Sequence, residues 1–272
     1  AARRLQLEGA GGSQSWTTYD VMLGRYLQEA GHFREAHHLL ANALEAHGSA
    51  DGWFPAQCRA TLAHCFFSLG QTARAKRLLG AEAPADAMAH FMWLNAKVRL
   101  ARFEGRSAGP LLDELVDLAQ ACARSGRVLW QVRIGRARET DGVEAVELAR
   151  QVVGQSLAKR TFSVCLPARA VLVDALRRAG EPEAAAQAAR ELADDLARHA
   201  AIGLPPAEYW WFIYQAFDAA GADASARAAL GRSVDWIRAT AQAEVAEEFR
   251  ESFLDRNPLH RTVLTTATRV RL

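Results

Sequence analysis

Apolar positions recur along this chain in segments of helical period, and no sustained two-residue alternation of the kind a half-buried strand requires is present. Glycine and proline fall between these segments, at Gly31, Gly70, Pro84, Gly105, Pro110, Gly180, Pro182, Pro205, Pro206, Gly221 and Pro258, where they end or start helices. Alanine, the strongest helix former, supplies about a fifth of the residues, while only Ile134, Ile202, Ile213 and Ile237 represent the β-favouring isoleucine. The pattern predicts an all-α chain. Its last stretch follows the same logic: Glu244 to Arg256 groups Phe249, Phe253 and Leu254 on one face and exposes Glu247, Glu248, Arg250 and Glu251. Asn257-Pro258 then stops that helix and starts another.

A period underlies the punctuation. Gly31, Gly70, Gly105, Gly142, Gly180 and Gly221 are spaced by 39, 35, 37, 38 and 41 residues, and four of these turns carry an alanine five residues later, Ala36, Ala75, Ala185 and Ala226. In the first copy Leu23, Gly24, Leu27, Gly31, Ala36, Leu40 and Ala43 stand at repeat positions seven, eight, eleven, fifteen, twenty, twenty-four and twenty-seven. This register resembles the tetratricopeptide repeat (TPR), in which helix A ends near the turn glycine and the alanine lets helix B approach closely. The copies at Gly105 and Gly142 are degenerate, with Ser107 and Pro110 in one turn and Glu147 at the alanine position of the other.

The resemblance implies a right-handed α-solenoid of TPR-like helix hairpins with a C-terminal capping helix pair. The expected organisation is a flexible leader over 1–16, six repeats over 17–241 and capping helices over 242–272. A non-repetitive helical bundle is the competing architecture. The segment Phe249 to Leu264 also looks like the closing part of large bacterial regulators of the STAND (predicted-ATPase) and bacterial transcriptional activator-domain types. The chain opens on Ala1 without methionine, in polar sequence, and a fragment of something larger or a processed product is the expectation.

Charge and composition then remove function classes. Across 272 residues, 33 basic side chains face 31 acidic ones, a net charge of +2, and direct nucleic-acid binding by this segment is not expected without a clear basic excess. The most apolar run, Tyr209 to Tyr214, is far too short to cross a membrane. Four scattered cysteines, Cys58, Cys65, Cys122 and Cys165, read as reduced thiols of a cytoplasmic protein.

Catalytic and metal motifs fail on spacing. Gly154 to Thr161 comes near a phosphate-binding loop, but Ala158 replaces the glycine before Lys159, Arg160 displaces the hydroxyl, and no strand precedes it. Glu35 and His38 share a helical face without the partner motifs of a di-metal site, and Cys58, His64 and Cys65 lack zinc-knuckle spacing. No catalytic residue, metal or cofactor is therefore assigned, and no enzyme activity is expected.

The concave face remains. The resemblance places the fifth, ninth and twelfth repeat positions in the groove, and transferring them from the turn glycines puts Arg25, His64, Arg99, Arg136, Asp174 and Gln215 in the ninth column. Asn95 and Trp211 fall in the fifth column, Arg102 and Arg177 in the twelfth. Asn95, Arg99, Arg102, Arg136, Arg177 and Trp211 are the candidate ligand-binding residues. Guanidinium forks match carboxylates and phosphates, and an amide both donates and accepts. The expected partner is a protein or peptide, acidic in character, or an anionic small ligand. The function expected is a non-catalytic binding module, the C-terminal sensor or docking region of a bacterial signalling or transcriptional regulator; the alternative is a stand-alone scaffold that assembles a complex.

Overall fold

A computed structural model describes residues 13–47, 53–122 and 126–272, so most of the expected 1–16 leader lies outside the described residues. Among the described residues there are fourteen helices and no strand. They are α1 (Ser13–Ala30), α2 (Phe33–His47), α3 (Trp53–Ser68), α4 (Thr72–Leu79), α5 (Ala87–Phe103), α6 (Gly109–Cys122) and α7 (Gly126–Glu139). The second half contains α8 (Gly142–Ala158), α9 (Phe162–Arg178), α10 (Pro182–Arg198), α11 (Pro206–Ala219), α12 (Asp223–Ala243), α13 (Glu247–Asp255) and α14 (Pro258–Arg269).

Consecutive helices pair as hairpins, and the odd-numbered helices also touch across hairpins, α1 on α3, α3 on α5, α7 on α9 and α9 on α11. The result is an all-α solenoid whose odd-numbered helices form one layer. All six turn glycines, from Gly31 to Gly221, have φ between 65° and 95°, a region open to glycine and strained for other residues. At five of them the next amide reaches back across the helix end, for example His32 N to Leu27 O at 2.8 Å and Gln71 N to Phe66 O at 2.7 Å. This bond closes the helix and turns the chain. The alanines at the second helix of four of the pairs, Ala36, Ala75, Ala185 and Ala226, are buried, as close approach of two backbones requires.

The C-terminal pair covers the last hairpin, α14 lying on α11 and α12. It also reaches the beginning of the chain. Ser252 Oγ donates to Leu69 O at 2.6 Å and accepts from Gln71 Nε2 at 2.7 Å, Asn257 Nδ2 donates to Ser68 O at 2.9 Å, and Arg34 N donates to Glu244 O at 2.8 Å. Phe253 meets Phe33 edge-on with ring centroids 5.4 Å apart, and Phe249 meets His37 in the same way. One apolar core accordingly runs from Val21, Phe33 and Leu40 of the first hairpin through Ile237 of the sixth to Phe249, Phe253 and Val263. Within the described residues the solenoid closes on itself as a ring, a contact the repeat register does not encode.

Candidate functional site: the central cavity

Closure turns the concave groove into a central cavity of about 550 Å³. All six hairpins and the start of α14 contribute to its wall. The ring is also tied across, because Gly203 N, in the loop between α10 and α11, donates to Glu29 Oε2 of α1 at 3.3 Å.

Helix α5 supplies the centre of the wall. Asn95, Arg99 and Arg102 follow one another at intervals of four and three residues, one helical face, and all three line the cavity. Arg102 is locked: Nε donates to Glu139 Oε1 of α7 at 2.9 Å and Nη2 to Gly135 O at 2.6 Å. A Cβ on Gly135 would lie 3.5 Å from that Nη2 and 3.0 Å from Leu112, so the missing side chain makes room for both neighbours. Glu139 also accepts from Ala108 N at 3.0 Å. Burial pushes its carboxyl upward, but the bonds from Ala108 and Arg102 prevail and hold it below the usual carboxylate range.

Two further arginines of the wall face acids. Arg138 Nη2 lies 2.6 Å from Glu208 Oε1 of α11, with its guanidinium over the Phe212 ring, and Arg25 Nε lies 3.5 Å from Glu29 Oε1. Arg99 differs. Among the described residues no hydrogen bond or ion pair engages it, and its side chain is exposed to the cavity although the ring surrounds it. Desolvation lowers its pKa to about 10, with Glu29 and Glu208 opposing and Arg102 and Arg25 adding to the fall, so it stays cationic at neutral pH. His64 beside it is driven well below the usual histidine range by burial first, then by Arg99 and Arg25, and is neutral.

Four of the six residues expected in the groove, Asn95, Arg99, Arg102 and Trp211, lie together on this wall. Arg136 and Arg177 do not. Arg136 is exposed and pairs with Asp113 of α6 at 3.2 Å; Arg177 pairs within its own helix with Asp174 at 2.7 Å. The cause in hairpin four is a slip of one residue. Helix α7 ends three residues before its turn glycine, whereas α3, α5, α9 and α11 end two before theirs, and Gly142 opens α8 behind an extended Asp141. Counted from the true helix end, the fifth, ninth and twelfth positions are Gln131, Gly135 and Arg138, and all three line the cavity. In hairpin five α9 lines it only through its first turns, at Ser163, Val164 and Pro167, which leaves Arg177 outside.

Sequence reasoning missed Arg138, Glu29 and Glu208. The first was legible, since Asp141 is a helix-start residue and marks where α8 begins. The two glutamates depend on closure and carry no local signal. Among the described residues no group of three or more His, Cys, Asp or Glu is placed to hold a metal ion, and no helix is long and apolar enough to cross a membrane. Cys58, Cys65 and Cys165 are buried thiols, with burial pushing Cys58 up to about 11 and Cys65 up to about 12.

No protein-family model matches the chain, and no curated protein does. Among solved structures it is similar to the TPR-like repeats of a Podosopora anserina kinesin light chain, at 20% identity over 84% of this chain and 98% of that one, with a TM-score of 0.32. A singly substituted form of the same repeats matches at 18% identity over 86% of this chain and 100% of that one, TM-score 0.33. At that distance the fold rests on the chain's own helices, turns and packing.

Proposed function

We propose that this chain is a non-catalytic binding module that takes an anionic group into its central cavity, and that it serves as the C-terminal sensor or docking region of a larger bacterial regulator. One observation carries the binding half of the reading: Arg99 faces the cavity without a partner among the described residues, while Arg25, Arg102 and Arg138 around it each face a carboxylate. Asn95, one turn earlier on the same helix, supplies an amide to the same cavity. The regulator context is supported by the segment Phe249 to Leu264, which resembles the closing part of such proteins and here supplies contacts that close the ring.

The test is calorimetric titration of acidic and phosphorylated peptides, and of small carboxylates and phosphates, into the parent, Arg99→Gln and Arg136→Gln. The reading requires at least one anion to bind the parent, with a loss of tenfold or more in Arg99→Gln, as expected when a charge-assisted hydrogen bond is removed. Arg136→Gln should bind as the parent does. Equal affinity in Arg99→Gln refutes the site.

A further inference from the structure

We infer that the cavity is a site for a small organic monocarboxylic acid with an apolar body, its carboxylate held by Arg99 and Asn95. The inference rests on the anion-binding reading and narrows it by charge, size and shape.

Charge comes first. The arginines of the cavity wall are Arg25, Arg99, Arg102 and Arg138, and three carboxylates, Glu29, Glu139 and Glu208, already face three of them. One positive charge remains, on Arg99. A ligand with one negative charge neutralises it. A phosphate ester, which carries close to two negative charges at neutral pH, would bring an uncompensated charge into a chamber that Glu29 and Glu208 also line. Size points the same way: about 550 Å³ lies within the range of small-molecule pockets, and the Glu29–Gly203 bond and the C-terminal pair bound the chamber. A chamber of that volume suits a metabolite rather than a folded partner.

Shape completes the assignment. Arg102 is held through Nε by Glu139 and through Nη2 by Gly135 O, so the charged donor on this face of α5 without a carboxylate partner among the described residues is the Arg99 guanidinium, with the Asn95 amide four residues before it. A planar, two-oxygen carboxylate can take the parallel pair from the guanidinium and a further bond from the amide. The remainder of the ligand meets rings and aliphatic groups: Phe67, Phe91, Phe103, Trp211 and Val132 line the same space. An acid with a phenyl or alkyl body satisfies both halves of the wall.

The experiment titrates 4-phenylbutyrate, decanoate, 4-phenylbutyramide and 2-phenylethyl phosphate into the full chain by calorimetry, and repeats each with Arg99→Gln and Asn95→Asp. At least one of the two acids should bind, with the amide and the phosphate ester each weaker than the better acid by tenfold or more. Both variants should lose that acid by at least tenfold while keeping the parent's circular dichroism spectrum. If the phosphate ester binds as tightly as the better acid and loses affinity in Arg99→Gln, the monocarboxylate assignment falls and the anion-binding reading stands. If neither acid binds, the assignment falls, whatever other anion the cavity takes. If an acid binds and Arg99→Gln retains its affinity, both readings fall.

Discussion

Gly70 and Ser252 stand backbone to backbone: a Cβ on Gly70 would lie 2.1 Å from the Ser252 carbonyl oxygen, far inside any tolerable contact. The glycine that reverses the chain between α3 and α4 is therefore also the seat of α13, some 180 residues away along the sequence. Beside it the Ser252 hydroxyl donates to Leu69 O and accepts from Gln71, so the second hairpin receives α13 through both its backbone and a side chain. This junction separates a closed ring with a chamber from an open solenoid with a groove.

The double use of Gly70 separates it from Gly105, Gly142, Gly180 and Gly221, where a built Cβ meets nothing within 4 Å. Gly180 has φ 78° and nothing within 4 Å of a built Cβ, so Gly180→Ala should cost only the left-handed backbone strain, about 1–2 kcal/mol. Gly70→Ala incurs the same strain, at φ 72°, and displaces α13 besides. Chemical denaturation should show the larger loss for Gly70→Ala. Hydrogen exchange should show new opening at residues 247–260 in that variant alone.

Asn257 divides its amide between two tasks. Its Oδ1 caps α14 by accepting from Leu259 N at 3.1 Å and His260 N at 3.3 Å, and its Nδ2 donates to Ser68 O across the junction. Asn257→Asp keeps an acceptor for the cap, removes the donor and sets a carboxylate against a carbonyl. Asn257→Ala removes both functions. Since a cap and a net hydrogen bond are each worth about 1 kcal/mol, the alanine variant should lose roughly 2 kcal/mol. The aspartate should keep the helicity of α14 while loosening the junction, and exchange at Leu259 and His260 against Leu69 and Gln71 distinguishes the two.

What the sequence makes legible follows from the range of each interaction. The helices, the turn glycines and the buried alanines rest on contacts within about forty residues, and the period reports them directly. Asn95, Arg99 and Arg102 share one wall because α5 ends in register with its glycine. Arg136 falls outside it because Gly142 starts a helix rather than ending one, and one residue turns a helical side chain by about 100°. Closure lies beyond such reasoning: Phe253 reads as apolar whether it covers the last hairpin or meets Phe33 of the first. The carboxylates that neutralise the wall, Glu29, Glu139 and Glu208, come from the first, fourth and sixth hairpins, so the charge left on Arg99 is visible only once the ring is formed.

Acid should weaken the C-terminal pair. His260 is buried, packs against Phe253 with the rings tilted and their centroids 4.2 Å apart, and shares a hydrogen bond with the Phe253 carbonyl. Burial lowers its pKa to about 4 despite that bond, so the folded protein holds a neutral imidazole that the unfolded chain protonates near 6.5. The stabilisation is complete above pH 6.5 and is lost progressively as pH falls toward 4, roughly 3 kcal/mol in all. His37, also held below its usual range by burial, adds in the same direction. Denaturation between pH 7 and 5, where carboxylates contribute least, should show falling stability, and His260→Gln should flatten the fall.

The charge count of the cavity can be altered at Arg138 and Glu208, which pair across the ring from α7 and α11 at 2.6 Å. Arg138→Ala strands the partly buried Glu208 carboxylate, costs about 1–3 kcal/mol of stability, and brings the arginines and carboxylates of the wall to equality. Anion affinity should fall although Arg99 is untouched. Glu208→Gln keeps a hydrogen-bonding group for Arg138 and frees a second positive charge, so affinity for an anion should rise, and it should rise most for a dianion. The double variant Arg138→Ala/Glu208→Gln restores the single excess charge and should recover the parent's preference for a monoanion. Arg136→Ala, whose guanidinium pairs with Asp113 outside the cavity, should change stability by less than about 0.5 kcal/mol and leave affinity unaltered. Calorimetry of the four variants with 4-phenylbutyrate and 2-phenylethyl phosphate decides the matter, because a site governed by shape alone would show no such order with charge.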